Sequence, residues 1–329
     1  MPFNPARYDT LPYRRCGHSG LRLPALSLGL WHGPGSYVDE AVSTRIVHTA
    51  FDRGISHFDL ANNYGHPAGA SEELFGRILR GMPRHELVIS SKAGYRMWDG
   101  PYGEWGSRKH LLQSCEASLK RLGVDHVDIF YSHRFDPETP LEETLGALET
   151  LVRHGKAIYA AISNYRDAQF VDAVRTVREH GWPPLIANQV RYSLLDRAAE
   201  TDVLPIAAAE RVGVIAFSPL AQGLLSDKYL DGVPAQSRAA LGKGNGALAA
   251  AQVTPEIVAK LNALHAIAQR RGQTLAQMAL AWLLRDARVT SVLIGASQPA
   301  QVDACVAAVS NVRFEAAECD AIERALQDS

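Results

Sequence analysis

One stretch in the middle of the chain contains a complete strand-helix-strand pattern. Residues 127–162 have the sequence VDIFYSHRFDPETPLEETLGALETLVRHGKAIYAAI. The two ends of this stretch, 127–131 and 157–162, are short and mostly apolar, which is typical of parallel strands covered on both faces. Between them, 141–153 is bounded as helices are, with a proline at its first turn and a glycine just after its end. The stretch predicts two parallel strands joined by a crossover helix.

The same pattern recurs along the whole chain. Eight strand-like runs occur, and each neighbouring pair is separated by a segment long enough for a helix. Parallel strands with right-handed crossovers either open into a doubly wound sheet or close into a barrel at eight units, so eight units favour the barrel. We therefore predict an α/β protein, a (β/α)8 TIM barrel that forms a single domain over residues 1–329. The predicted strands are 25–28, 57–60, 87–91, 127–131, 157–162, 185–189, 214–217 and 291–294, and the predicted helices include 109–121, 141–153, 168–179, 255–271 and 274–285.

Two segments do not fit the repeated unit. Before the first strand, 13–16 and 21–24 flank a four-residue turn, which predicts an N-terminal β-hairpin that could close the bottom of the barrel. Between the seventh and eighth strands lies 221–254, which is rich in Gly and Ala. Loops of this length in compact domains are usually functional or disordered, so we predict a long loop after strand seven.

Composition and missing motifs exclude several classes of protein. Lys and Arg total 34 against 35 for Asp and Glu, so a nucleic-acid partner is not expected. No apolar run reaches the roughly 18 residues of a membrane span, and the four cysteines are scattered, which favours a cytoplasmic protein. No metal-binding motif is complete. The near match to a dinucleotide-binding glycine motif, 244–249, has no strand before it, which argues against a Rossmann domain.

Four polar residues lie at or just beyond the ends of three consecutive predicted strands. Asp59 ends the second strand and Tyr64 lies just beyond it, while Lys92 ends the third and His133 follows the fourth. Reactive groups of a (β/α)8 barrel lie where strands end at the carboxyl face. The sequence therefore predicts that an acid, a phenol, an amine and an imidazole meet at one rim.

These four groups suit the reduction of a carbonyl. A hydride that arrives at carbon drives negative charge onto oxygen, where a proton must be supplied. Tyr64 would donate that proton, Lys92 would lower the pKa of the phenol from about 10, Asp59 would keep Lys92 protonated, and His133 would orient the carbonyl oxygen. The alternative is structural, with an ordinary ion pair, a rim aromatic and a core histidine. A charged pair inside a barrel mouth is costly unless it is used, which favours catalysis.

At these residues the sequence resembles the aldo-keto reductases, whose Asp-Tyr-Lys-His tetrad matches Asp59, Tyr64, Lys92 and His133. Within that superfamily it is most similar to the bacterial L-glyceraldehyde 3-phosphate reductases and to the β subunits of voltage-gated potassium channels. The resemblance is carried by FDLANNYG at 58–65, GKA at 155–157, ISNY at 162–165 and FSPLAQGL at 217–224, and more closely by SLGLWH at 27–32, MWDGPYG at 97–103 and YSHR at 131–134.

The resemblance implies that NADPH binds in an extended form across the barrel mouth. Ser163, Asn164 and Gln189 would bind the nicotinamide carboxamide, and Phe217 would stack on the ring. The residues implied along the pyrophosphate are Ser218, Leu220, Gln222, Gly223, Lys228 and Arg238, and those at the adenine end are Gly295, Ser297 and Gln301. Gly295 and Gln301 stand where many members carry cations for the 2′-phosphate, so we expect a preference for NADPH with modest discrimination.

The substrate side is less well defined by the sequence. Trp31 and Trp98 would wall the mouth, and Arg96 or Arg134 would hold the phosphate of a triose phosphate. The resemblance implies an NADP-dependent oxidoreductase that reduces small aldehydes of the glyceraldehyde 3-phosphate and methylglyoxal type. The alternative is an NADP(H)-binding, redox-sensing subunit with little turnover. The oligomeric state stays open, although relatives of this branch form homo-oligomers.

Overall fold

The structure, a computed structural model, describes residues 3–33, 35–235, 237–241 and 248–327. The side chains of Arg238 and Leu241 lie outside the described part. Strands β1 and β2 form an antiparallel hairpin, and β3 to β10 form a closed barrel of parallel strands in the order β10-β3-β4-β5-β6-β7-β8-β9. The strands are β1 (Tyr13–Arg15), β2 (Arg22–Pro24), β3 (Leu26–Gly29), β4 (His57–Asp59), β5 (Val88–Ala93), β6 (Val127–Ser132), β7 (Ala157–Ser163), β8 (Leu185–Arg191), β9 (Gly213–Phe217) and β10 (Val289–Ile294).

Helices surround the barrel and connect its strands. The predicted (β/α)8 barrel and its N-terminal hairpin are therefore confirmed, and each of the eight predicted runs overlaps a barrel strand. The helices within the described residues are α1 (Glu40–Asp52), α2 (Ala70–Leu79), α3 (Arg108–Leu122), α4 (Leu141–Arg153), α5 (Asp167–Glu179), α6 (Ala199–Asp202), α7 (Leu204–Glu210), α8 (Arg238–Leu241), α9 (Pro255–Arg270), α10 (Leu275–Leu284), α11 (Pro299–Val306) and α12 (Ala316–Gln327). No described helix is long and apolar enough to cross a bilayer.

Local sequence accounts for where several of these helices begin and end. The Ser107 side chain accepts a hydrogen bond from the amide of His110 at the start of α3, and Gly123, with φ of 69°, ends that helix. The Thr274 side chain caps α10 in the same way by accepting from the amide of Gln277. Such caps satisfy amide groups that have no partner inside the helix.

The hairpin closes the amino-terminal end of the barrel, as the sequence predicted. Cys16 and Leu23 are fully buried and belong to the same apolar cluster as Ile129 and Ile215 in the barrel interior. The thiol of Cys16 also donates to the carbonyl of Ile186 at 3.3 Å. The hairpin therefore completes the core that the barrel strands begin.

The segment 221–254, predicted as a long loop after the seventh barrel strand, follows that strand, β9. Its described parts contain short helical turns and α8 rather than strands. The side chain of Asn262 in α9 donates to the carbonyl of Leu230 at 2.8 Å, and Asp227 accepts from the amide of Leu275 at 3.1 Å. Residues 242–247, with most of the near match to a glycine motif, lie outside the described residues.

Candidate active site

A large cavity opens at the carboxyl ends of the barrel strands. Its volume is about 990 Å³, at the upper end of the range of small-molecule sites. Asp59, Tyr64 and His133 line this cavity, together with Trp31 and Tyr95. The predicted polar residues are therefore brought together at one rim.

Lys92 connects the acid and the phenol. Its ammonium group donates to Asp59 Oδ2 at 2.5 Å and to the carbonyl of Leu60 at 2.7 Å, and it lies 3.5 Å from the Tyr64 hydroxyl. Lys92 is fully buried, Asp59 is 1% exposed and Tyr64 is 8% exposed. The ion pair is therefore shielded from water, and its Coulomb interaction is stronger than that of a pair at the surface.

Strand register explains why these groups meet. Asp59 of β4 is paired with Ser90 of β5, and side chains two residues apart on a strand point to the same face. Ser90 and Lys92 therefore face the interior beside Asp59. The other carboxylate oxygen, Asp59 Oδ1, accepts from Ser90 Oγ at 2.7 Å and from Gln189 Nε2 at 2.9 Å.

His133 completes the predicted set of four. Its ring centroid lies 5.9 Å from that of Tyr64 and 4.6 Å from that of Tyr95. Its Nδ1 has no hydrogen-bond partner among the described residues. The pKa of His133 lies well below its ordinary value of 6.5, because burial disfavours the cation and Lys92 and Arg134 repel it. The ring is therefore neutral at pH 7 and carries one N–H that can donate.

The prediction that the pKa of Tyr64 is lowered from about 10 by its neighbour Lys92 is wrong for the net pKa. The pKa of Tyr64 lies well above its ordinary value of 10, because burial, the negative charge of Asp59 and the neighbouring Tyr95 all disfavour the phenolate. Burial also lowers the pKa of Lys92 from 10.5, although Asp59 acts in the opposite direction. The physical reason is that burial, the largest cause, and the Asp59 carboxylate together outweigh the positive charge of the ammonium. Tyr64 thus remains protonated, which is the form that a proton donor requires.

Most of the predicted cofactor residues line the same cavity. Ser163 is not among the lining residues; it is buried and its hydroxyl donates to the carbonyl of Gln189 at 2.8 Å. The side chain of Arg238 lies outside the described part, so its prediction is not tested. The lining residues from the predicted set are Asn164, Gln189, Phe217, Ser218, Leu220, Gln222, Gly223, Lys228, Gly295, Ser297 and Gln301.

The backbone after β9 fits a phosphate-containing cofactor. Ser218, Ala221, Gln222 and Gly223 have positive φ angles of 53°, 46°, 58° and 104°. Non-glycine residues rarely adopt this conformation, and where they do the strain often serves a binding site. Lys228 adds a positive charge to the same cavity. A strained turn and a cation at one end of the cavity suit an anionic group.

The four predicted substrate residues are placed differently from one another. Trp31 lines the cavity, with its ring centroid 6.1 Å from that of Tyr64. Trp98 is 49% exposed, and neither it nor the two arginines is among the lining residues. Arg96 forms an ion pair with Asp99, and Arg134 donates to Glu104 at 2.6 Å. A substrate phosphate would have to compete with these carboxylates.

Sequence reasoning missed several residues of the cavity wall. Tyr95, Arg166 and Arg191 line it, as does Tyr37. Tyr95 lies just beyond the end of β5, so the rule that selected Lys92 could have found it. Arg191 ends β8 and could have been found in the same way. Tyr37 carries no such signal, because it lies in a turn well beyond β3.

Comparison with known proteins agrees with this arrangement. The model of the aldo/keto reductase family matches residues 25–327. The chain belongs to the aldo/keto reductase family. It is therefore an oxidoreductase, and the match covers the complete barrel, β3 to β10.

Relatives of this reductase include proteins named as enzymes and others named as channel subunits. It is 51% identical to the L-glyceraldehyde 3-phosphate reductase of Escherichia coli K12, over 99% of this chain and 95% of that protein. It is 35% identical to a probable voltage-gated potassium channel subunit beta of Oryza sativa, over 89% of each chain. The corresponding protein of Arabidopsis thaliana is also 35% identical, over 91% of each chain. The sequence resemblance to this branch is thus confirmed.

Proposed function

We propose that this protein reduces small aldehydes, of the glyceraldehyde 3-phosphate and methylglyoxal type, to alcohols with NADPH and with Tyr64 as the proton donor. The observation that carries the proposal is the contact of the Lys92 ammonium with both Asp59 Oδ2 and the Tyr64 hydroxyl at the cavity. NADPH, when bound, supplies the hydride. The residues proposed to hold it are the predicted cofactor residues that line the cavity, with Lys228 and the turn after β9 at its phosphates.

Tyr64 acts on the carbonyl oxygen of the substrate. Its raised pKa keeps the phenol protonated until negative charge develops on that oxygen, and the proton then moves from the phenol to the oxygen. Lys92 lies 3.5 Å from the hydroxyl and stabilises the phenolate that remains. Neutral His133 donates its N–H to the same substrate oxygen, which fixes the position of the carbonyl.

The proposed substrate class rests on the cavity wall and on the relatives. Trp31 provides an apolar side next to Tyr64, whereas Arg166 and Arg191, which also pair with Asp202 and Asp196, provide positive charge elsewhere in the cavity. A small polar aldehyde suits that combination, and the arginines favour one that carries a phosphate. The 51% identical relative is named for glyceraldehyde 3-phosphate, which has this chemistry.

A panel of aldehydes tests this function. NADPH oxidation is followed with L-glyceraldehyde 3-phosphate, methylglyoxal and an aromatic aldehyde, and each reaction is repeated with NADH. We expect turnover with the first two substrates and a modest preference for NADPH. Absence of turnover with every aldehyde would contradict the proposal, and equal catalytic efficiency with NADH would contradict its cofactor preference.

A redox-sensing subunit is the second candidate. The 35% identity to proteins named as channel β subunits favours it, although the identity to the named reductase is higher. In a sensor the cofactor binds tightly and turnover is slow. Isolation of the protein with bound NADPH that no aldehyde oxidises would therefore favour the sensor over the enzyme.

A further inference from the structure

A continuous line of buried hydrogen bonds runs across the interior of the barrel and ends at Asp59. It crosses β10, β3, β4 and β5, and every side chain before Asp59 is fully buried. We call Ser291, Ser27, His57 and Ser90 the His57 chain. Its contacts are Ser291 Oγ to the Pro24 carbonyl at 2.6 Å, Ser27 Oγ to Ser291 Oγ at 2.6 Å, His57 Nδ1 to Ser27 Oγ at 2.9 Å, His57 Nε2 to Ser90 Oγ at 3.0 Å and Ser90 Oγ to Asp59 Oδ1 at 2.7 Å.

The two ends of the His57 chain fix the direction of its outer hydrogen bonds. The carbonyl of Pro24 and the ionised carboxylate of Asp59 can only accept. Ser291 must therefore point its hydrogen at Pro24, and Ser90 must point its hydrogen at Asp59. Each hydroxyl has a single hydrogen, so the oxygen of Ser90 is left to accept from His57.

His57 cannot satisfy both of its neighbours in the same way. Burial lowers the pKa of His57 to about 4, with Asp59 raising it and Lys92 lowering it further, so the ring is neutral at pH 7 and has one N–H. The five contacts then share four hydrogens, and one contact must lack one. With the proton on Nε2, the single hydrogen of Ser27 can serve only one of its two contacts, to Ser291 or to His57. With the proton on Nδ1, the single hydrogen of Ser90 can serve only one of its two contacts, to His57 or to Asp59.

The charge of Asp59 decides between these two tautomers. The negative charge of Asp59 favours the tautomer whose N–H points toward it, which is the one with the proton on Nε2. When Nε2–H donates to Ser90 Oγ, it also strengthens the hydrogen bond that Ser90 donates to Asp59. The tautomer with the proton on Nε2 therefore leaves every bond between His57 and Asp59 intact. The deficit then falls at Ser27, on the side of His57 away from the ion pair.

We propose that His57, with its proton on Nε2, is a positioning residue of the reductase site, which acts through Ser90 to hold Asp59 in the orientation that joins Lys92 to Tyr64. This inference deepens the proposed function and rests on it. The distance from Lys92 to the Tyr64 hydroxyl is 3.5 Å, at the limit of a hydrogen bond. Asp59 and the Leu60 carbonyl together hold the Lys92 ammonium, so a rotation of Asp59 removes one of the two contacts that keep it near the phenol.

Two substitutions of His57 distinguish the contributions of its two ring nitrogens. The side-chain nitrogen of glutamine can occupy the place of Nε2, and that of asparagine the place of Nδ1. We expect His57→Asn to lower kcat about 10-fold or more while KM for the aldehyde and for NADPH stays unchanged, because a hydrogen bond that supports a charged group is lost. His57→Gln should recover most of that loss. Equal activity of the two variants would overturn the proposal, since a merely structural role does not distinguish the two nitrogens.

The two serines that contact His57 provide a matched comparison if either histidine variant fails to fold. Ser90→Ala and Ser27→Ala each remove one buried hydroxyl from the barrel interior, but only Ser90 contacts Asp59. We expect the loss of kcat to be at least several-fold larger for Ser90→Ala. An equal or larger loss for Ser27→Ala would overturn the proposal.

The tautomer can be measured without any turnover. Nitrogen-15 NMR of histidine-labelled protein distinguishes a protonated from an unprotonated ring nitrogen, and the signal missing from His57→Gln identifies His57 among the 12 histidines. A proton on Nε2 alone supports the inference, whereas a proton on Nδ1 alone or on both nitrogens overturns it. If the wild-type protein reduces no aldehyde, the proposed function fails and the NMR result still stands. If it reduces aldehydes and His57→Asn equals it, only this inference fails.

Discussion

Strands β10, β3, β4 and β5 present hydroxyls, an imidazole, a carboxylate and an ammonium to the barrel interior, whereas β6 to β9 present mainly aliphatic and aromatic side chains. We call the first group the polar half: it comprises the His57 chain with Asp59 and Lys92. The second group is the apolar half, which comprises Ile129, Tyr131, Ala161, Ile186, Ala187 and Ile215, with Leu293 added from β10. Gln189 of β8 connects the halves through its hydrogen bond to Asp59.

Both halves consist of buried side chains, but the free energy of burying them differs. Apolar side chains in the barrel and the hairpin gain free energy as they leave water. Buried polar groups at best recover what they lose, and a buried ion pair is weak support for stability. The contrast indicates that the apolar half and the hairpin supply stability, while the role that we propose for the polar half is to orient Asp59, Lys92 and Tyr64.

The largest effect should come from the phenol at the edge of the polar half. Tyr64→Phe removes the proposed proton donor, and positioned acid catalysis is worth about 10²–10⁴-fold, so kcat should fall by at least that factor. Binding of NADPH, measured by fluorescence titration, should be retained. A variant that keeps most of its activity would remove Tyr64 from the chemistry and make the polar half merely structural.

A truncation in the apolar half should affect stability instead. Ile129→Ala removes a fully buried side chain, and such changes cost about 2–5 kcal/mol in the free energy of unfolding. The kcat of the folded protein should change little. Ile158→Ala, on the neighbouring strand but 47% exposed, is the matched control and should cost much less in a urea titration. Equal losses for the two variants would contradict the assignment of stability to the interior cluster.

The sequence predicted the barrel and most of its reactive rim because those features are local. A parallel strand buried on both faces is recognisable as a short apolar run, and Asp59, Lys92 and His133 lie at or just beyond the ends of such runs. The hairpin was recognisable from a turn between two short strands. These predictions needed no knowledge of which strands lie side by side.

What the sequence did not predict depends on closure of the barrel and on net electrostatics. Ser27 and Ser291 are 264 residues apart in the chain and meet only because β10 pairs with β3. The raised pKa of Tyr64 results from burial and the charge of Asp59 together, and the residue types alone do not give its sign. The ion pair of Arg134 with Glu104 likewise depends on how the loop after β5 folds back.

The dependence of stability on pH should also differ between the halves. The pKa of His57 falls from 6.5 to about 4 on folding, so below pH 6.5 the unfolded chain takes up a proton that the folded protein excludes. The free energy of unfolding should therefore fall between pH 6.5 and about 4, by about 3 kcal/mol from this group. His57→Gln should flatten that slope, measured by urea titration at several pH values, whereas Ile129→Ala should lower stability without changing it. An unchanged slope in His57→Gln would contradict the burial of a neutral His57.

The smallest effect is expected at the boundary between the halves. Tyr131 belongs to the apolar cluster, yet its ring centroid lies 5.5 Å from the Lys92 ammonium. Burial raises the pKa of Tyr131 well above 10, as it does for Tyr64, but Tyr131 is not among the residues that line the cavity. Tyr131→Phe is thus the counterpart of Tyr64→Phe and should change kcat by less than about threefold, since it removes no acid from the reaction. A loss comparable with that of Tyr64→Phe would show that proximity to Lys92, rather than access to the cavity, determines which phenol serves the reaction.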